Sequence, residues 1–290
     1  MRSTASERDR PARAHDGPAG WDVVRPLRPS RTTGVDMAGF HVPGAPPGGL
    51  RPVPHPAVML LLEFGASRLV VADGTGRQHR GSLVAGPGFG AGGAVCTWGE
   101  DIECVQVRLS PLSARAVLGV DPAELAGGPV ALDDLWGRDA SRIREQLGES
   151  SSWQERFALT DALLARLSAG RPPVEPEVAR AWNRIVVGHG RVRVDRLAAE
   201  LGWSRKRLWS RFHTQLGMPP KRAATLVRFD RAVHRLVAGE SAARVAADTG
   251  YFDQPHLHQD VMAFTGLTPK DVADEPFLTV DDVAWPTNRS

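Results

Sequence analysis

The rhythm of hydrophobic and polar positions changes along the chain. From about Trp21 to Ser110, short apolar runs at 58–64, 68–72, 82–85, 94–98 and 102–109 alternate with Gly- and Pro-rich breaks, a spacing that predicts short antiparallel strands forming a barrel or sandwich. Within the last run, Glu103, Gln106 and Arg108 interrupt the apolar positions as a half-buried strand requires, and Gly99-Glu100-Asp101 reads as the hairpin turn before it. After Pro111 the period lengthens. Leu112, Ala116 and Val117, then Ile143 and Leu147, then Phe157, Leu163, Leu164 and Leu167 recur at helical spacing, predicting helices that pack on the sheet or pair two subunits. Residues 171–176 are a proline-stiffened linker between a β-rich domain (21–170) and a helical one (177–275). Residues 1–20 are poor in large apolar side chains and predict a disordered tail, and 276–290 a second tail.

The helical domain contains one pattern twice. Leu197, Ala198 and Leu201 share a face, Gly202 allows a turn, and Ser204 stands where a helix N-cap is needed; Val245, Ala246 and Thr249 lead to Gly250 and the cap Asp253 in the same order. Each repeat reads as helix, glycine turn, capped helix, and a long helix over 219–237 separates them. After Ser204, burial of Leu208, Phe212 and Leu216 puts Lys206, Trp209, Ser210 and His213 on the opposite face. A helix carrying a cation, an aromatic ring and hydrogen-bonding groups suits the major groove, whose base edges present a readable donor and acceptor pattern. Arg205, Arg207 and Arg211 flank that face and suit phosphates. In the second unit Leu257, Val261 and Phe264 turn inward, leaving Gln254, His258, Gln259 and Met262 outside and His256 at the margin. Glutamine pairs with adenine, and histidine with a base edge or phosphate.

Charge strengthens this reading. The chain is only +3 overall, but 180–250 holds 15 Lys or Arg against five acids, so a segment of +10 is set on a remainder of −7, as phosphate neutralisation would require. Only three of the 36 basic residues are lysine (Lys206, Lys221 and Lys270), a bias of composition rather than of chemistry. Cys96 and Cys104 cannot form a disulfide framework; flanking the expected hairpin turn, they would lie opposite each other and could form a redox pair, although small buried apolar residues is the plainer reading. No apolar run reaches the roughly 18–20 residues of a membrane span, and no signal-peptide core follows the N-terminal arginines, which predicts a cytoplasmic protein.

The segment from Gly250 to Pro269, Gly-Tyr-Phe-Asp-Gln-Pro-His-Leu-His-Gln-Asp-Val-Met-Ala-Phe-Thr-Gly-Leu-Thr-Pro, resembles the signature of the AraC/XylS family of bacterial regulators, and the stretch from Leu197 to Phe212, with Gly217 and Pro220, resembles that family's first unit. The resemblance covers about a third of the chain. It implies seven helices with two recognition helices in successive major grooves. It also implies that Lys206, Trp209 and Ser210, and then Gln254, His256 and Gln259, stand where the family reads bases. Two departures are visible: Gln259, Asp260, Met262 and Ala263 occupy positions where relatives often carry cations, and Pro219 stands where Ser or Thr is usual.

In this family the N-terminal domain commonly senses a ligand or forms dimers, and the strand-then-helix order here resembles a cupin. The loop 86–93 could shape a mouth for a small apolar molecule, or be a plain connection. A metal-dependent cupin enzyme would need clustered histidines, whereas His41, His55 and His79 are isolated. His256 and His258 diverge by roughly 200° around a helix. No cofactor, metal or catalytic residue is therefore expected. The expected partners are double-stranded promoter DNA, a small-molecule effector, RNA polymerase for an activator, and a second copy in a homodimer. Two other readings stay open: an enzyme on the N-terminal barrel with a DNA-targeting domain, and an adaptor that binds DNA only loosely.

Overall fold

In a computed structural model, the described residues are 13–14, 20–44, 49–92 and 95–285. Of the N-terminal stretch expected to be disordered, only Arg13, Ala14 and Gly20 fall among them; the rest of that expectation lies outside the described residues. Strands β1 (Arg13–Ala14), β2 (Asp22–Val24), β3 (Val35–Gly44), β4 (Val58–Glu63), β5 (Val70–Ala72), β6 (Gln78–Arg80), β7 (Leu83–Ala85), β8 (Cys96–Trp98), β9 (Glu100–Leu109) and β10 (Val130–Ala131) form two antiparallel sheets. The larger has the order β1-β2-β3-β9-β4-β7-β10 and the smaller β6-β5-β8.

Period-two alternation lets the larger sheet serve two cores. Val58, Leu60 and Leu62 on β4 and Val105, Val107 and Leu109 on β9 face helices α1 (Pro111–Leu118), α2 (Leu132–Trp136), α3 (Arg138–Glu149) and α4 (Trp153–Ser168), with Ile143, Leu147, Phe157 and Leu164 opposite. The other face presents Phe40, Met59 and Cys104 toward Leu69 and Val71 of the smaller-sheet region. β9 is therefore not half-exposed as its polar residues suggest: both faces are covered, and Arg108 is buried. β3, whose Gly39 admits the Trp153 ring that any Cβ would strike, shows no continuous apolar run in the sequence because glycine and proline break its pattern.

The expected hairpin across Gly99–Asp101 does not form. β8 pairs with β5, and β9 with β3 and β4, so the chain crosses between sheets there, with Asp101 at φ +47°. Cys96 thus lies opposite Ala72, and Cys104 opposite Phe40 and Glu63. Neither is in a disulfide, and burial pushes Cys104 up to about 12, with Glu63 and Glu103 nearby adding to the effect. Cys96 and Cys104 therefore do not face each other across a hairpin as a redox pair would.

The C-terminal domain comprises α5 (Pro176–Val187), α6 (Val194–Glu200), α7 (Arg205–Leu216), α8 (Pro220–Val237), α9 (Ala242–Thr249), α10 (Gln254–Thr265) and α11 (Pro269–Ala273) around one core. Proline at the first turn of α5 and α8 costs no hydrogen bond and presets φ. The linker is pinned rather than free: Val174 is buried in the C-terminal core, and the Glu175 amide donates to Gln215 Oε1 at 2.8 Å. The stretch after 275, expected as a tail, is instead α12 (Pro276–Ala284), which returns to the N-terminal sheet and places Val280, Ala284 and Trp285 in its inner core. Among the described residues, no helix is long and apolar enough to cross a membrane.

Candidate DNA interface and interior pocket

Both repeats have the expected turns and caps. Gly202 and Gly250 adopt φ +65° and +87°, which favour glycine. Ser204 Oγ accepts from the Arg207 amide at 3.2 Å, and Asp253 Oδ1 from the His256 amide at 2.9 Å. Leu208, Phe212 and Leu216, and Leu257, Val261 and Phe264, are buried. α8, with 18 residues, is a rod of about 27 Å between the units.

The outward face of α7 carries Lys206, Trp209 and Ser210, all exposed. Trp209 is 51% exposed, and its ring stacks on His213 with centroids 5.0 Å apart and planes 3° apart. His213 is half-buried, so it holds the indole more than it offers itself. On α10, Gln254, His258, Gln259 and Met262 are exposed and, with Pro255 and Ala263, line a shallow open depression. His256 is exposed but tied back, its Nδ1 lying 2.8 Å from Asp253 Oδ1. The sequence reading missed Phe252. It is 90% exposed, edge-on to His256 with centroids 5.9 Å apart. Its neighbour Tyr251 is the buried one, its ring 4.4 Å beneath the Arg228 guanidinium.

Many of the cations in the basic segment are already paired. Arg184 pairs with Glu200, Arg193 with Asp195, Arg228 with Asp260, Arg235 with Glu240 and Asp248, and Arg211 with Glu175. Arg207 lies 4.6 Å over the Trp203 ring. Arg205, Lys206 and Lys221 are exposed without an ion pair among the described residues. The outward face of α10 carries no Lys or Arg. Of the two recognition helices, α7 thus carries the cations and α10 carries none.

A second feature lies inside the N-terminal domain. A cavity of about 90 Å³, lined by Phe40, Met59, Leu69, Phe89, Ile102 and Trp285 among others, opens between the sheets, room for more than one water-sized group. Its wall is mostly apolar. The polar groups that reach it include Gln106, Arg108 and His55, and Arg108 Nε is buried without a hydrogen-bond partner. The loop expected either as a mouth or as a plain connection contributes Phe89, and a Cβ on its Gly88 would stand 3.2 Å from Leu226 of α8 and 3.7 Å from Phe264 of α10. It therefore joins the pocket to the base of the second unit.

Beside the pocket is a buried polar knot. The Arg108 guanidinium forks onto the Asp281 carboxylate and lies 4.3 Å over the Trp285 ring. His234 Nε2 is 3.0 Å, and His55 Nε2 3.4 Å, from the same carboxylate. His55 Nδ1 is 2.6 Å from Asp230 Oδ1, and His234 Nδ1 is 2.7 Å from the Asp230 carbonyl. Burial alone would raise the carboxyl of Asp281, but His55, Arg108 and His234 outweigh it and hold the group far below the usual range. Burial lowers His234, yet its bond to Asp281 and the charges of Asp230 and Asp281 raise it to about 9. The sequence showed no such cluster because its members come from four distant segments, His55 and Asp230 alone standing 175 positions apart.

Residues 197–275 match the helix-turn-helix domain family. No match is found among curated proteins. Similar solved structures include ToxT from Vibrio cholerae (9% identical, covering 84% of this chain and 99% of that one, TM-score 0.48), an AraC-type transcriptional regulator from Chromobacterium violaceum (21%, 35% and 92%, 0.33) and the C-terminal domain of AraT from Geobacillus stearothermophilus (20%, 35% and 86%, 0.33).

Proposed function

We infer that this chain, whose C-terminal third is an AraC-type helix-turn-helix domain, is a DNA-binding transcription factor that reads double-stranded sequence through α7 and α10. The observation that carries this is the pair of glycine-turned, side-chain-capped helices, each burying one stripe and presenting hydrogen-bonding and aromatic groups on the opposite face. Lys206, Trp209 and Ser210 read bases from α7, with His213 backing the indole. Gln254, His258 and Gln259 read them from α10, with His256 and Phe252 at its rim. Arg205 meets phosphate directly, Arg207 meets it from its seat on Trp203, and Arg211 does so on leaving Glu175.

The interior cavity supports response to a small effector with an apolar body and one hydrogen-bond acceptor for Arg108 Nε. Its occupancy would reach α10 through Phe89 and Gly88, and α8 through α12. The protein acts as a regulator, not a catalyst. Recruitment of RNA polymerase by an activator, and dimerisation through the N-terminal domain, are steps that promoter footprinting and sedimentation would test.

The test is binding of the full-length protein to labelled genomic fragments under excess random duplex, across a salt series. A sequence-reading factor keeps a preference of at least about 10³ for a subset of fragments and shows a steep salt slope. Equal competition by random duplex would instead favour the loosely bound adaptor.

A further inference from the structure

We propose that His55, His234 and Asp281 form a binding site for a zinc-like divalent cation at the junction of the N-terminal domain, the central helix α8 and the C-terminal helix α12. The donor atoms of these residues all lie within 4.8 Å of one another, and His55 and Asp281 are buried. Both imidazoles aim Nε2 at one carboxylate, at 3.0 and 3.4 Å. Around a tetrahedral ion with ligand distances of about 2.0–2.2 Å, neighbouring donors stand about 3.3 Å apart. The two nitrogen–oxygen separations are already close to this length, His234 facing Oδ2 and His55 facing Oδ1 of Asp281, and the donor atoms of the three residues span no more than 4.8 Å.

The surroundings are those of a prepared ligand set. A metal-bound histidine characteristically donates its other ring N–H to a carboxylate or carbonyl, which fixes the tautomer and raises the basicity of the ligating nitrogen. Here one residue serves both rings: Asp230 offers its carboxylate to His55 Nδ1 and its carbonyl to His234 Nδ1. Arg108 donates to both oxygens of the Asp281 carboxylate, and a carboxylate's roughly four lone-pair sites leave it capacity for an ion as well. Two imidazoles and one carboxylate suit zinc and the other late divalent metals better than magnesium or calcium, and three protein ligands leave a fourth position for water. The three residues belong to three segments, so the ion would fasten the sensing domain to the rod that carries both DNA-reading units. Metal binding there does not depend on which DNA sequence the protein reads.

The experiment is titration of full-length, tag-free, chelator-stripped protein with Co²⁺, followed by displacement with Zn²⁺. The expected result is one equivalent of Co²⁺ with the intense visible absorption of a tetrahedral site, bleached by Zn²⁺. His55→Gln and His234→Gln should each remove it, while His256→Gln on the exposed face of α10 should leave it intact. Asp230→Asn, which touches only the outer nitrogens, should weaken binding by about 10–100-fold. Should the inner variants fail to fold, X-ray absorption of the wild-type Zn²⁺ complex must still count two imidazoles per metal. No stoichiometric uptake, a bound metal without two imidazoles, or absorption indifferent to His55→Gln and His234→Gln would each overturn the proposal and leave the knot as a proton-bridged ion network.

Discussion

Trp209 is the most informative single residue, because an indole half in water and stacked flat on His213 has no packing reason to be there. Trp209→Ala and Lys206→Ala should each cost about 1–3 kcal/mol of specific affinity and relax the preference at one base position. Binding curves on matched and single-mismatch duplexes check this, and equal losses on random DNA would show that α7 presents another face. Arg205 and Arg211 separate a free cation from a committed one. Arg205→Ala should flatten the salt slope by about one. Arg211→Ala should change it less, since Arg211 must first release Glu175. Phe252 yields a third outcome: Phe252→Ala should leave the thermal midpoint unmoved, as befits a ring 90% in solvent, while weakening DNA binding.

At the scale of elements, the two caps and the inward stripes set the recognition helices. Ser204→Ala and Asp253→Ala should each destabilise the fold by about 1 kcal/mol, whereas Phe212→Ala should cost about 3–5 kcal/mol, all read from denaturant unfolding. The β5–β6 turn has a pH signature. Asp73 is raised by burial, but hydrogen bonds from Thr75, His79 and Arg77 prevail and hold it down at about 2. A depressed carboxyl stabilises the fold above the unfolded value of about 3.9 and loses that contribution as pH falls through the folded one. The stability gap between wild type and Asp73→Asn should therefore be constant above pH ~5 and shrink on acidification toward about 2; a gap that widened would reverse the sign. The helical domain was legible from the sequence because its signals are local: glycine turns, caps and a four-residue apolar period each lie within one element. The sheet was less so. β3 hides behind Gly39 and Pro43, and the pairing of β8 with β5 is decided by partners far along the chain. The polar residues of β9 suggested solvent where Gln106 and Arg108 face a pocket. Phe252 and Tyr251 are adjacent aromatics, and only tertiary packing decides which one is buried.

For the whole molecule, the pinned linker, the approach of Gly88 to Leu226 and Phe264 and the return of α12 bind the N-terminal and C-terminal domains into one contact network. The stretch after 275, expected as a C-terminal tail, supplies part of the pocket wall through Leu278, Val280 and Trp285. Ending the chain at 275 should expose the inner core, seen as increased fluorescence of an apolar dye and a lower thermal midpoint. On this reading two units contact DNA from one rod. Its most direct test is selection of genomic fragments by the purified full-length protein at near-physiological salt, with sequencing of what is retained. The expected result is a motif of two elements about one helical turn apart, with the element read by α7 the stricter; retained fragments that share no motif would rule out reading by both units.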